Sequence, residues 1–292
     1  MRIYLVDASP YIFRAFFAVP SSIKDREGRT ANAIHGFASF LLRLRDEEKP
    51  THLALFFDRN LNSSFRNEML PGYKQQRELP PPELEAQIDG CVRLGQALGI
   101  PVFISDRYEA EDLLAVLCRQ AVAAGHPVHV VTSDKDLMQL VSEKVTLYDL
   151  ARGDRYDPAG VRAKFGVTPE QIPDYLGLCG DTVDNIPGVA GIGPKTASAL
   201  LQAFGTVEGV YQKLHEVPYL PLRGAAGVAA KLEASRDSAF LSKRLALLPE
   251  EAADEAKAEL ESLALRAPGS ELEELLDEMA FTSQRARLEA WG

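Results

Sequence analysis

Residues 180–197 read GDTVDNIPGVAGIGPKTA and bring two kinds of chemistry into one short segment. Asp181 and Asp184 offer two carboxylates three residues apart. Gly188, Gly191 and Gly193 follow in a tight apolar turn, and glycine suits a positive φ or a close backbone approach. Lys195 and Thr196 then open a helix, where free N–H groups and the lysine cation would suit a phosphate. Taken alone, this turn is explained equally well as a surface loop before an ordinary helix. The acids elsewhere in the chain shift that balance.

Five short apolar runs read as strands: Ile3–Val6, His52–Phe57, Val102–Ile104, Val128–Thr132 and Val145–Leu147. In an open α/β sheet, ligands sit beyond the carboxyl ends of the strands. Here Asp7 ends the first run, Asp58 ends the second, and Asp134 with Asp136 follows the fourth. Glu109, Glu111 and Asp112 come after the third, where a helix begins. A single acid at a strand end is ordinarily a turn residue or helix cap. Acids at four of five strand ends on one sheet edge are harder to explain that way. Uncompensated, they would repel and raise one another's pKa, and divalent metal removes the conflict. Hard oxygen donors without His or Cys favour Mg²⁺ or Mn²⁺ over Zn²⁺. Two such cations can activate water and stabilise a departing oxygen at a phosphate, so the acids point to phosphoryl chemistry. No Ser–His or Cys–His pair is evident, and His35, His52, His126, His129 and His215 are scattered and read as structural.

The elements that must hold these acids alternate strand and helix. Ala33–Leu44, Glu83–Leu98 and Glu111–Ala124 carry apolar residues at three- and four-residue spacing. This pattern predicts an α/β fold with a mainly parallel sheet and flanking helices. From about Pro169 the strand signals stop and helices such as Pro169–Leu178 and Lys195–Ala203 follow, marking a second, helical domain. Between them, residues 60–82 have no clean period and carry Arg66, Lys74 and Arg77 with Phe65 and Tyr73, as a long functional loop would. The 292 residues suffice for two modest domains, with 46% hydrophobic and 25% charged residues as in ordinary globular proteins. No run is long enough to span a membrane and the N-terminus reads as a strand, so a cytoplasmic protein is expected, and a monomer is the expected state. Cys91, Cys118 and Cys179 lie far apart in apolar settings and read as buried free thiols. The net charge of −10 is largely a tail effect, since residues 250–292 hold twelve acids against four bases, a net of −8. That tail reads as a solvated helical face.

Five motifs, VDASPYIFRAFFA, FFDRNLNSSFRNEMLPGYKQQR, YEAEDLLA, TSDKDLMQL and GDTVDNIPGVAGIGPKTA, together resemble the 5′-nuclease family in order and spacing. That family includes the N-terminal 5′→3′ exonuclease domain of bacterial DNA polymerase I, phage 5′ nucleases and flap endonucleases. The resemblance covers roughly residues 1–244. It implies a PIN-like domain over 1–168 with an arch-like insert at about 60–82. A helix–three-turn–helix (helix-hairpin-helix-like) DNA-binding module would follow over 169–255, then an acidic tail over 256–292. It also implies a structure-specific 5′ nuclease acting on DNA flaps, gaps and free 5′ ends, with RNA-primed DNA as a further substrate. Asp7, Asp58, Glu109 and Glu111 would surround one Mg²⁺. Asp134, Asp136 and Asp181 would hold another, with Glu111 shared and Asp112 and Asp184 as outer acids. Lys74 and Arg77 would sit over the scissile phosphate, Arg14 would contact a phosphate near the 5′ end, and Phe13 would stack on a base. Arg66 is placed with the DNA-binding cations of the same segment. Gly188, Gly191 and Gly193 would approach the duplex backbone with Lys195 and Thr196, with a K⁺ on the hairpin carbonyls. The chain has no room for a polymerase domain and reads as a free-standing paralogue that keeps all nine acids. A non-catalytic junction binder and a PIN-type ribonuclease are the rival readings. The intact acids oppose the first; the hairpin and the long insert oppose the second.

Overall fold

The computed structural model describes residues 1–59, 64–77, 80–250 and 252–291. The first part runs β1 (Ile3–Asp7), α1 (Ser9–Ala18), α2 (Asn32–Glu48), β2 (His52–Asp58), α3 (Arg66–Met69) and α4 (Pro82–Ala97). It continues with β3 (Val102–Ser105), α5 (Ala110–Ala123), β4 (Val128–Val131), β5 (Val145–Asp149), β6 (Asp154–Tyr156) and α6 (Pro158–Phe165). The strands form one sheet in the order β3-β2-β1-β4-β5-β6, parallel except for the β5–β6 pair.

All five expected strands are present. At the centre β1, β2 and β4 are largely buried on both faces, as parallel sheets require, while β3 at the edge is half-buried. In β1, Ile3 and Leu5 face the core that contains α5, while Tyr4 and Val6 face the core of α1, α2 and α4. The sequence pattern does not show β6, whose three residues carry no apolar alternation and pair with β5 through the backbone. The chain leaves β1 for β2 and β3 on one side and returns to β4 on the other, so a topological switch lies between β1 and β4. Such a point opens a crevice at the carboxyl ends of the strands, where Asp7 and Asp58 stand.

A helical part follows: α7 (Ile172–Cys179), α8 (Pro194–Phe204), α9 (Val207–Gln212), α10 (Ala225–Ala234) and α11 (Arg236–Ala246). The helix expected from Pro169 begins as a 3-10 turn over Pro169–Gln171 before α7. Helices α7 and α11 meet at Gly177, where a Cβ would lie 2.9 Å from that of Lys243. The apolar core of the α5 face continues without a break into this part, through Leu178, Val189, Leu200 and Leu201. Of the segment 60–82, residues 60–63 and 78–79 lie outside the described residues. Residues 64–77 form α3 and a run of turns, with Arg66, Tyr73 and Lys74 buried.

Most acids of the tail are exposed, as a solvated face requires, but the tail also carries a buried apolar face not expected from the sequence. It forms α12 (Ala253–Ala256), α13 (Leu272–Glu278) and α14 (Arg285–Glu289). Leu272, Leu275, Leu276, Met279, Phe281, Leu288 and Trp291 are buried in the same core as α2 and α4. Asp277 pairs with Arg26 and Arg285, and Glu278 pairs with Arg29 and Arg93, so these acids seat the tail. The acidic composition hid an apolar face at helical spacing. Cys91 and Cys118 are buried free thiols, while Cys179 is only half-buried. Among the described residues no helix is long and apolar enough to cross a membrane.

Candidate metal centre and nucleic-acid interface

Asp7, Asp58, Glu109, Glu111 and Asp134 line a cleft of about 390 Å³ together with Phe13, Lys74 and Arg77. For Asp7, Asp58 and Asp134 the hydrogen-bond partners are neutral donors, whereas Glu109 and Glu111 lie against Arg66. The Thr132 hydroxyl donates to Asp7 Oδ2 at 2.8 Å and itself accepts the Asp134 N–H at 2.9 Å. Asp58 accepts from Ser9 Oγ at 2.6 Å and from the Ala110 N–H at 2.9 Å. The Asp136 N–H donates to Asp134 at 2.9 Å. Burial, reinforced by Asp58 and Asp134, pushes the Asp7 carboxyl well above the usual carboxylate range. Burial also raises Glu111 strongly, although the Arg66 guanidinium lies 3.3 Å away, and it raises Asp134 with help from Asp184.

On the helical side, Asp136, Asp181 and Asp184 are all buried, with one carboxylate oxygen from each lying within 4.8 Å of the others. A two-way backbone pairing of Asp181 with Ile186, at 2.8 Å each way, shapes the turn that presents this side. Gly180 and Gly188 have φ of 70° and 60°, and a Cβ on Gly188 would stand 2.3 Å from the Gly180 nitrogen, so the turn closes only with glycine. Asp181 accepts the Val183 N–H at 2.9 Å on one oxygen and the Lys135 ammonium at 2.6 Å on the other. Asp184 pairs with Arg77, receives the Tyr73 hydroxyl at 3.2 Å and has Lys74 at 3.8 Å. Against burial, Lys74 and Arg77 hold its pKa below the ordinary value. Asp136 Oδ1 is buried and has no hydrogen-bond partner. Burial, then Asp134 and Asp184, raises the pKa of this carboxyl well above normal. A buried acceptor without a partner, among hard oxygen donors and no His or Cys, fits divalent cations of the Mg²⁺ or Mn²⁺ type.

Two expectations need correction. Arg66 is 1% exposed and cannot reach DNA in this structure. Its guanidinium donates to Glu109 at 2.7 Å, to both oxygens of Asp112 at 2.7 and 2.8 Å, and to the Leu245 carbonyl at 2.7 Å. The planar fork of arginine matches a carboxylate bidentately, so it acts as an internal clamp. Asp112 is fully buried against that fork and also closes a reciprocal capping box with Glu109 at the start of α5. It therefore faces Arg66 and the helix cap. Lys74 sits in the left-handed region at φ 54°, a conformation costing about 1–2 kcal/mol per non-glycine residue. Its N–H is held by the Asp184 carbonyl at 3.0 Å and its ammonium pairs with Glu109. Against burial, Lys74 and Arg66 keep the Glu109 pKa below normal.

Residues 2–166 match the family described as 5′-3′ exonuclease, N-terminal resolvase-like domain, and residues 167–271 match 5′-3′ exonuclease, C-terminal SAM fold. The chain belongs to this 5′-3′ exonuclease family. It is 43% identical over 245 residues to DNA polymerase I of Pseudomonas aeruginosa, covering 84% of this chain and 27% of that protein. To DNA polymerase I of Bacillus subtilis it is 39% identical over 251 residues, covering 85% of this chain and 28% of that one. The chain thus spans a little over a quarter of the length of these relatives. The fold is shared with the bacteriophage T5 flap endonuclease, solved as a pseudo-enzyme–product complex with DNA and metal ions. That match has a TM-score of 0.70 at 21% identity over 96% of this chain and 98% of the other. The catalytic core of Rad2 in complex with DNA substrate aligns with a TM-score of 0.64 at 17% identity over 99% and 91% of the two chains.

Within this 5′-3′ exonuclease fold the remaining expected contacts divide. Phe13 lines the acidic cleft, whereas Arg14, one residue on, lines a separate hollow between α1 and α2. At the hairpin, Gly191, Gly193 and Lys195 are exposed and Thr196 is half-exposed. No atom outside its neighbours lies within 4 Å of a Cβ built on Gly193, which leaves that backbone open to an approaching strand. Gly188 corrects the expectation for its own position. It is buried, its N–H donates to Ser242 Oγ at 2.9 Å and its carbonyl accepts from Ser238 Oγ at 2.6 Å. The Gly191 carbonyl accepts from the Lys231 ammonium at 3.1 Å. Each of these two oxygens already accepts one hydrogen bond from a protein donor. Three residues that sequence reasoning left without a role also hold the acids in place: Lys135 on Asp181, Thr132 between Asp7 and Asp134, and Tyr73 between Glu109 and Asp184. The one signal for Lys135 was its place between two candidate ligands in SDKD.

Proposed function

We propose that this chain hydrolyses DNA phosphodiester bonds as a structure-specific 5′ nuclease, acting on 5′ flaps, gaps and free 5′ ends. The observation that carries the reading is the unpartnered Asp136 Oδ1, buried where the carboxylates of the sheet edge meet those of the helical part. Asp7, Asp58, Glu109, Glu111 and Asp134 would hold one divalent cation, and Asp136, Asp181 and Asp184 a second. Mg²⁺ is the proposed ion, with Mn²⁺ able to replace it. Bound there, such cations supply a water of lowered pKa and neutralise charge on the phosphate.

The chain's own groups do the rest. Lys74 and Arg77 line the cleft and carry the charge to bind phosphate oxygens once an incoming strand competes for them. Phe13 offers a face on which the terminal base stacks. Gly191, Gly193, Lys195 and Thr196 hold the duplex through its backbone without reading sequence. Arg14 contacts a phosphate near the 5′ end. RNA primers paired to DNA belong to the same substrate class. A K⁺ on carbonyl oxygens of the Gly188–Gly193 hairpin would strengthen the duplex contact there; the Gly188 and Gly191 oxygens each already accept one hydrogen bond, leaving a second lone pair. The deciding assay compares end-labelled 5′-flap, gapped and single-stranded DNA, with a single-stranded RNA beside them, in Mg²⁺ and in chelator. Flap cleavage that requires Mg²⁺ is expected. Flap binding without cleavage under any divalent ion would make the chain a junction binder, and faster cutting of single-stranded RNA would make it a ribonuclease.

A further inference from the structure

Lys135 lies between two acids of the cluster, in Asp134–Lys135–Asp136, and points its ammonium across to the helical part. It donates to Asp181 Oδ2 at 2.6 Å, while Asp181 Oδ1 is taken by the Val183 N–H at 2.9 Å. Both oxygens of Asp181 are therefore engaged before any ion arrives. The same carboxylate lies within 4.8 Å of Asp136 and Asp184 through their nearest oxygens. Asp184 is held by Arg77 and Lys74, so the three acids of this triad share the cluster with three protein cations. A divalent cation that ligates Asp181 Oδ2 would share that oxygen with an ammonium, and the two positive charges would repel at close range. Lys135 differs from Lys74 in exposure, though not from Arg77, which is 33% exposed. The Lys135 side chain is 36% exposed, so it has room to swing into solvent, whereas Lys74 is buried at 8%.

We propose that Lys135 is the resident counter-ion of the Asp136–Asp181–Asp184 triad and that it must release Asp181 before a divalent cation binds there. Lys135 then sets the affinity of the second metal position without being a ligand. It is a positioning residue: in the metal-free protein it holds Asp181 against the sheet edge and stands in for the cation. The inference rests on the reading of these acids as a metal centre.

The test is a calorimetric titration of Mn²⁺ into the metal-free full chain, wild type against Lys135→Gln and Lys135→Arg, with melting curves alongside. Lys135→Gln removes the competing charge and should tighten the weaker Mn²⁺ step by roughly tenfold, discounted for the partial exposure of the pair. Its metal-free melting temperature should fall, because Asp181 loses its counter-ion, and its Mn²⁺-induced rise should exceed that of wild type. Lys135→Arg keeps the charge and should leave the weaker step no tighter than in wild type. Unchanged or weaker Mn²⁺ binding in Lys135→Gln, in a protein whose wild type takes up two ions, overturns the role of Lys135. A wild type that takes up no Mn²⁺ overturns instead the metal reading beneath it.

Discussion

On the sheet side of the cleft, Asp7, Asp58 and Asp134 accept hydrogen bonds from hydroxyls and backbone N–H groups, and none has an ion pair among the described residues. On the helical side, Asp181 and Asp184 are held by Lys135, Arg77 and Lys74. Asp7 is as buried as Asp181 and Asp184, while Asp58 and Asp134 are half-buried. Burial raises the Asp7 and Asp134 carboxyls, whereas Asp181 and Asp184 are paired with cations. Burying charge without a partner is costly, so raised pKa values on the sheet side are the expected outcome. On the helical side the Asp184 pKa is held below normal by Lys74 and Arg77 despite burial. The difference means that an incoming cation would compete with protein cations for Asp181 and Asp184 but not for Asp7 and Asp134, which have no ion pair among the described residues.

The largest effect is expected where the two sides meet. Asp134, on the sheet side, also feels Asp184 of the helical side, so Asp134→Ala should remove an ion's worth of charge stabilisation from the transition state. That contribution is several kcal/mol, or about 10³-fold or more in cleavage rate. Flap binding in Ca²⁺ should stay within a few-fold. Single-turnover cleavage and a binding titration measure the two halves, and normal turnover would dissolve the distinction between the sides.

Next comes Arg66, the cation that braces the acids from behind. Arg66→Met strands Glu109 and Asp112 as buried carboxylates without their fork, at a cost of about 3–5 kcal/mol in unfolding free energy. Denaturant melts would show it. A loss below about 1 kcal/mol would mean that the fork is replaceable by water.

Most of this arrangement could be read from the sequence. The strands are short apolar runs, the helices have three- and four-residue spacing, and the acids fall at strand ends, so a shared edge followed from parallel topology. What could not be read was direction. Arg66 in an aperiodic segment looks like a surface cation, since no local pattern announces a fork aimed inward at Asp112. Gly188 looks like its neighbours Gly191 and Gly193, but Ser238 and Ser242, some 50 residues away in sequence, capture its backbone. In the tail the exposed acids were legible but the apolar stripe ending at Trp291 was not. Each of these depends on a long-range partner, which periodicity does not encode.

The pH dependence of the metal-free protein should separate the sides further. Asp7, Glu111 and Asp136 have folded pKa values raised above their unfolded ones. The folded state then binds more protons than the unfolded state, so stability falls as pH rises above the ordinary carboxylate range. Glu109 and Asp184 are lowered, so their contribution is present at neutral pH and is lost as pH falls through and below that range. Metal-free melting temperature should thus decline from mildly acidic to alkaline pH, and the rise caused by millimolar Mg²⁺ should be larger at pH 8 than at pH 6. A Mg²⁺-induced rise independent of pH would count against protonated carboxyls on the sheet side.

The smallest effect is also the most direct comparison. Asp7→Asn and Asp181→Asn are isosteric changes on opposite sides. In Asp7→Asn, the side-chain oxygen can still accept from Thr132, and the repulsion from Asp58 and Asp134 is relieved. The metal-free protein should therefore become more stable. In Asp181→Asn, the Val183 N–H keeps its acceptor but Lys135 loses its carboxylate, so the metal-free protein should become less stable. Each change should be about 1 kcal/mol, typical of a single substitution, and the Lys135 pair lies at the low end because its cation is partly exposed. For a chain of this size that corresponds to roughly 2–4 °C in opposite directions by calorimetry. Both variants should lose part of the Mg²⁺-induced rise, since each removes a candidate ligand. Equal shifts of the same sign in the metal-free state would show that the cations of the helical side leave its acids no better compensated than those of the sheet.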